Sequence, residues 1–190
     1  MNNPLFLLVG KSASGKTTIA EILESQHDLK SLQSYTTRPQ RHEDETGHIF
    51  ISDTEFDQLE DIVAYTEYNN YRYCATQDQI DEADMYVIDV PGVEALLENY
   101  DSNRPIIVLY FDADIRTRID RMINRHDCDA QIVSRLYNDE EFDWKDMIED
   151  LIWDAQGKNI KMYCINANRA LDDVLFDIKE YVSKNGVWVL

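Results

Sequence analysis

Positive charge is what this chain lacks most: 18 Lys and Arg stand against 37 Asp and Glu, a formal net charge of −19 over 190 residues. A nucleic-acid binder needs a basic footprint to displace counterions, so no nucleic-acid partner is expected. The few cations must be concentrated wherever an anionic ligand binds, and the surplus Asp and Glu form a solvated surface. Cysteine is also scarce. Cys74, Cys128 and Cys164 are far apart and form no CxxC or zinc spacing, which predicts reduced thiols rather than a disulfide framework or a zinc site. Long apolar runs are missing too. Leu5–Val9 is too short for a membrane span or a signal peptide, and Met1-Asn2-Asn3-Pro4 ahead of it lacks a basic start, so no membrane partner and a cytoplasmic location are expected. No repeat, low-complexity stretch or Pro/Gly/Ser linker interrupts the chain, and its length suits a single domain.

What is present is enough apolar material for a core, 44% of residues with 11% aromatic. Its order predicts an α/β fold. Leu5–Val9 reads as a buried strand followed by a Gly-rich turn and a helix over 15–24. Residues 86–90, 106–111 and 161–165 read as further buried parallel strands, followed by helices over 93–98, 115–124 and 170–183. Between the first helix and residue 86 the character changes. Segments 34–41, 49–52 and 64–76, rich in Thr, Tyr, Asn and Arg, predict short antiparallel strands with a helix near 54–60. An irregular patch is expected at 125–135.

Gly10-Lys11-Ser12-Ala13-Ser14-Gly15-Lys16-Thr17 matches G-x-x-x-x-G-K-[ST] in full, and it falls between a strand and a helix as its mechanism requires. The glycines let the backbone curl so that N–H groups face a phosphate, and the helix N-terminus adds partial positive charge. Lys16 would reach the β and γ oxygens of a triphosphate, and the Thr17 hydroxyl would ligate Mg²⁺. Gly10, Ser12, Ala13, Ser14, Gly15, Lys16, Thr17 and Thr18 are thus the expected set for binding a nucleoside triphosphate.

A second motif, Ser34-Tyr35-Thr36-Thr37-Arg38-Pro39-Gln40-Arg41, carries two arginines three apart that can clamp a phosphate from two directions. Here the sequence resembles the guanylate kinase family, whose acceptor segment reads S-x-T-T-R-x-x-R. The resemblance runs along nearly the whole chain. Phe50-Ile51-Ser52 is similar to the family's F-V-S, Glu67-Tyr68-Asn69-Asn70 to its E-Y-N-G, and Asp89 in Val87-Ile88-Asp89-Val90-Pro91-Gly92-Val93 to the aspartate of D-x-Q-G-V. Arg121-Met122-Ile123-Asn124-Arg125 resembles the lid's R-L-x-x-R, and Ser134-Arg135-Leu136 its K-R-L.

The resemblance implies a three-layer P-loop core with a parallel sheet (1–33 and 84–190), a β-rich acceptor-binding insertion (34–83) and a helical lid (about 125–140). It implies an ATP-dependent phosphotransferase, monomeric or homodimeric, that uses Mg²⁺ to phosphorylate GMP or dGMP. Ser34 would hydrogen-bond the acceptor base, Asp89 would contact the base or ribose, and Arg38, Arg41 and Tyr73 would hold the acceptor phosphate. Arg121, Arg125 and Arg135 would close over the transferred group beside Lys16, and Asn166 would meet the donor adenine. Other roles stand beside these: Asp89 as a strand-end carboxylate ordering a metal-bound water, the lid arginines as surface partners of nearby carboxylates, Asn166 as a turn residue.

The sequence also departs from the family. The guanine-reading glutamate falls on Ala64, with Glu67 the nearest possible substitute. A phosphate-binding tyrosine falls near His48, in a shortened loop, and the family's first strand aspartate falls on Val87, which removes a carboxylate expected near the metal. Ribose 1,5-bisphosphate phosphokinases share the architecture and lack the guanine reader, and Glu45-Thr46-Gly47-His48-Ile49 and Tyr71-Arg72-Tyr73 are similar to theirs. A non-catalytic binding module of the same fold is the third reading.

Overall fold

Leu5–Val9 (β1) is buried at every position because it runs through the middle of a sheet covered on both faces. The computed structural model describes residues 3–27, 29–40, 43, 45–140, 144–155 and 158–184. Within them Lys16–His27 forms α1, and β1 lies between Met85–Val87 (β6) and Ile106–Asp112 (β7), with Ile160–Asn166 (β8) outermost. All three pairings are parallel.

The period of two along β1 sorts its side chains into two layers. Leu5, Leu7 and Val9 face Val90–Asn99 (α4) and Trp144–Asp154 (α7), meeting Val93, Leu96 and Ile148. Phe6 and Leu8 face α1 and Leu171–Lys184 (α8), meeting Ile19, Leu23, Val174 and Ile178. The three-layer α/β core expected from the sequence is present. α7 was not anticipated, although Trp144, Met147, Ile148, Leu151 and Ile152 recur at helical spacing.

The insertion has its own sheet, ordered His48–Phe50 (β3), Ser34–Thr36 (β2), Tyr71–Thr76 (β5), Ile62–Tyr68 (β4). β4 and β5 are a hairpin turned by Asn69 and Asn70, both at positive φ, as a two-residue turn matched to strand twist requires. Not every pairing is antiparallel as expected: β2 and β3 are parallel, Ser34 beside His48, because the long 37–47 connection carries the chain back before β3 begins. The helix expected near 54–60 is the single turn Asp53–Phe56 (α2), boxed by Ser52 and Glu55. It ends where Asp57 and Asp53 are both drawn onto the Arg72 guanidinium at 2.6 Å. Gln77–Glu82 (α3) leads back to the core.

Two further boundaries differ from the sequence reading. The strand expected over 86–90 stops at Val87, because Asp89 caps α4 by accepting the Gly92 N–H at 2.9 Å and Pro91 lies in its first turn. A Cβ on Gly92 would meet Ile88 at 2.7 Å, so this tight start admits no side chain. The region after Ile115–Asn124 (α5) is not an irregular patch. A short loop leads into Asp129–Glu140 (α6), and Arg135 lies on that helix. Arg104 closes the core's far end: its buried guanidinium donates to the carbonyls of Asn3, Ile80 and Ala83, each at 2.7 Å. Among the described residues no helix is long and apolar enough to cross a membrane, and Cys74, Cys128 and Cys164 are free thiols.

Candidate functional site

The loop between β1 and α1 packs against β7 so closely that a Cβ on Gly10, at φ 150°, would lie 2.6 Å from the Phe111 carbonyl. Ala13 and Gly15 also have positive φ, which winds the backbone into a concave turn at the head of α1. The Lys16 ammonium is folded into that concavity and donates to the Gly10 carbonyl at 2.6 Å and the Lys11 carbonyl at 3.0 Å. Burial lowers its pKa to about 8, with Asp139 and Asp89 pulling it up and Arg118 and Arg125 pushing it further down.

That shift has a sign that can be tested. The unliganded ammonium loses its proton as pH rises through about 8. A bound polyanion favours the charged form, so affinity for any polyanion held by this ammonium is expected to be complete below that pH and to fall above it. Binding near pH 8–9 takes up a proton. Titration calorimetry in buffers of different ionisation heat measures the uptake; pH-independent affinity up to pH 10 contradicts it.

Two hollows flank the loop. One, of about 370 Å³, runs from Ala13 to Ile19 and is walled by Phe111, Arg121, Arg125, Ala167, Leu171 and Val174. The other, of about 590 Å³, lies between the loop and the insertion, where Ser12, Ser34, His48, Tyr73 and Asp89 meet Trp144 and Met147 of α7. Lys16 lines both.

On the first side, Ala13, Ser14, Gly15, Lys16, Thr17 and Thr18 are brought together as expected, with Thr17 and Thr18 exposed at the start of α1. Arg121 is a splint: it donates to the Ser14 carbonyl at 2.9 Å and the Ala167 carbonyl at 2.6 Å, tying the loop to the entrance of α8. Arg125 borders the hollow but pairs with Asp127 at 2.6 Å, and Arg135 lies 3.5 Å from the same carboxylate. The Asn166 carboxamide accepts the Asn168 N–H at 3.1 Å, a turn role, and Ala167 lines the hollow in its place.

On the second side, Ser34 and His48 are adjacent in the β2–β3 register and joined at 2.9 Å, with the His48 ring 5.5 Å from Tyr73. Asp89 reaches the cavity while holding Gly92 N–H and accepting the Thr66 hydroxyl at 2.9 Å; burial raises its pKa, and those hydrogen bonds oppose the rise. Glu67 stands at the rim, where its carboxylate takes the Tyr65 hydroxyl. Ala64 is fully buried opposite Ala75 and brings no polar group to the cavity. Arg38 is not on the cavity wall. It forms a two-pronged pair with Glu45 at 2.7 and 3.2 Å beneath Phe50. Arg41 lies outside the described residues.

The sequence reading missed Thr66, Asp139, Arg118, Trp144 and Met147. Arg118 carried a signal: one helical turn before buried Met122, it is a charge on the inner face of α5. Asp139 carried none, because nothing local shows that it meets a loop 127 residues away.

No model of a known protein family matches the chain, and no curated protein sequence matches it. Among solved structures, the guanylate kinase from Anaplasma phagocytophilum is similar over 100% of this chain and 89% of its own, with a TM-score of 0.55 and 12% sequence identity. At that identity the likeness concerns architecture, and it agrees with the parallel four-stranded core sheet and its helices described above. The chain has a guanylate-kinase-like α/β fold.

Proposed function

We propose that this protein is an ATP-dependent phosphotransferase that moves the γ-phosphoryl group of ATP to a small phosphorylated acceptor, GMP or dGMP in the first reading. The observation that carries this is the position of Lys16, which borders both hollows and so can meet a phosphoryl group passing from one to the other. ATP would occupy the hollow along Ala13–Thr18, with Arg121 fixing the loop and Arg125 beside the phosphates. The acceptor would lie in the larger cavity against Ser34, His48, Tyr73 and Asp89.

An acceptor phosphate oxygen attacks the γ-phosphorus, the bond to the β,γ-bridging oxygen breaks, and ADP leaves. The acceptor phosphate is already an anion, so no general base is needed. Lys16 leaves its carbonyl partners to neutralise charge on the transferred group. Mg²⁺ would be held by the exposed Thr17 hydroxyl and by phosphate oxygens. Among the described residues no group of three His, Cys, Asp or Glu side chains could hold a metal alone, which suits a cation that arrives with its nucleotide. Bound there, the ion would neutralise charge on the β and γ oxygens.

A second reading is favoured by Ala64. Without a carboxylate at that position, and with Glu67 engaged by Tyr65, the cavity has lost a means of reading guanine. A sugar bisphosphate such as ribose 1,5-bisphosphate needs no base reader. Calorimetric titration with GMP, dGMP, AMP, dTMP and ribose 1,5-bisphosphate separates the two. GMP and dGMP are expected to bind; binding of the sugar bisphosphate alone overturns the guanine reading and keeps the phosphotransferase.

A further inference from the structure

The larger cavity is lined by two unlike sets of residues. Ser34, His48 and Tyr73 gather on the insertion's sheet, and Lys16 and Asp89 come from the core; together they suit a phosphate and a ribose. The other set is apolar. Trp144 and Met147 stand three residues apart on one face of α7, Val90 and Pro91 open α4, and Tyr68 ends β4. Trp144 and Met147 pack against the core cluster that holds Val90 and Ile148, yet both are only half-buried.

A sugar bisphosphate has no use for that surface. An indole and a thioether gain from being covered by a flat aromatic ring, through an offset stack and a sulfur contact. Charge also argues against a second phosphate. Glu67, Asp89 and Asp139 line the cavity, whereas Lys16 is its one Lys or Arg among the described residues. The lining therefore fits an acceptor with one phosphate and one aromatic ring. It is poorly equipped to read the edge of that ring. Ala64 offers no polar group, Glu67 is engaged by Tyr65, and Asp89 already holds the Thr66 hydroxyl and the Gly92 N–H. Stacking needs no edge reader, because every base has a π-face.

Resting on the phosphotransferase reading, we propose that Trp144 and Met147 are the base-binding residues of the acceptor site, and that the acceptor is a nucleoside monophosphate held by its phosphate and its ring whatever the base. Specificity then comes from α7 rather than from the insertion, and it selects the presence of a base, not its identity.

The test is titration of GMP, AMP, dTMP, ribose 5-phosphate and ribose 1,5-bisphosphate into the wild type, Trp144→Phe and Trp144→Leu. A non-hydrolysable ATP analogue fills the hollow along Ala13–Thr18 throughout, so that the monophosphates report on the acceptor cavity. In the wild type the three nucleotides are expected to bind within about tenfold of one another, and ribose 5-phosphate at least about tenfold more weakly. Trp144→Leu should lose about tenfold or more for every nucleotide and keep its affinity for ribose 5-phosphate, while Trp144→Phe keeps most of the nucleotide affinity. A purely structural Trp144 predicts equal losses for nucleotides and ribose 5-phosphate, and that result overturns the proposal. Indole fluorescence gives a reading that does not depend on the Leu variant folding: nucleotides should quench it in the wild type and not in Trp144→Phe. An equal quench in both, or none in either, contradicts stacking on Trp144. Preference for a single base by more than about a hundredfold overturns the proposal. Sugar phosphates binding as tightly as nucleotides also overturn it, and leave the phosphotransferase reading standing. Failure of every acceptor to bind overturns both.

Discussion

Replacing Lys16 by Met is expected to lower acceptor-dependent ATP turnover by about 10²–10³-fold while leaving the fold intact. The two halves of that statement have separate grounds. Turnover is expected to fall because Lys16 is, among the described residues, the cation that lines both hollows. The fold survives because the ammonium bonds within its own loop, to the carbonyls of Gly10 and Lys11 and, at 3.4 Å, to the Ser14 hydroxyl. Its lowered pKa also means that folding disfavours the charge. A group whose folded pKa lies below its unfolded value opposes folding while protonated, fully below about pH 8, and ceases to do so as pH rises from there toward 10.5. Removing the ammonium removes that opposition, and Met keeps the apolar stem. Steady-state kinetics and a thermal melt at pH 7 check both halves; a large fall in melting temperature would assign Lys16 a structural role instead.

The second large effect is expected at Arg38, and it is chiefly one of stability. Arg38 and Glu45 are 8% and 10% exposed at the side chain and doubly hydrogen-bonded, and Arg38 also donates to the Pro39 carbonyl at 2.9 Å. Arg38→Met removes one partner of this buried, doubly hydrogen-bonded pair, a loss that costs about 3–5 kcal/mol. The connection that this pair holds carries the chain from β2 to β3, so the register of Ser34 beside His48 depends on it. Arg38→Met with Glu45→Met removes both charges and is expected to recover most of the stability. Acceptor affinity should stay about tenfold lower, since the guanidinium also interacts with Tyr73 on the cavity wall. Chemical denaturation of both variants, with acceptor titration of the double variant, separates the contributions. Full acceptor affinity in the double variant would limit Arg38 to holding the loop.

This second prediction shows where sequence reading runs out. Spacing alone gave two arginines able to clamp a phosphate, but it could not show that Glu45, seven residues on, had taken one of them. The lid arginines follow the same pattern: R-x-x-x-R spacing placed Arg121 and Arg125 on one face of α5, yet Arg121 is drawn to main-chain carbonyls and Arg125 to Asp127. In a chain with about twice as many acids as bases, cations such as Arg38, Arg118 and Arg125 are drawn to carboxylates that spacing in the sequence does not single out. The turn between β1 and α1 was legible because its pattern is local: eight consecutive residues and a strand–turn–helix context determine its conformation. The core strands were legible because a strand buried on both faces must be apolar throughout. The β2–β3 pairing was not, because strand direction is set by the path of the 37–47 connection rather than by either strand. Residues 86–90 misled for a different reason. Hydrophobicity marked one buried run, whereas capping chemistry at Asp89 and Pro91 divides it between a strand and a helix.

The central claim is that one loop serves two sites and that Lys16 connects them. Incubation with γ-labelled ATP, Mg²⁺ and either GMP or ribose 1,5-bisphosphate, followed by separation of products, tests it most directly. Label is predicted in a phosphorylated acceptor, only when acceptor is present, and it should vanish with Lys16→Met. Label released solely as inorganic phosphate whether or not an acceptor is present, or transfer that persists in Lys16→Met, would contradict the account.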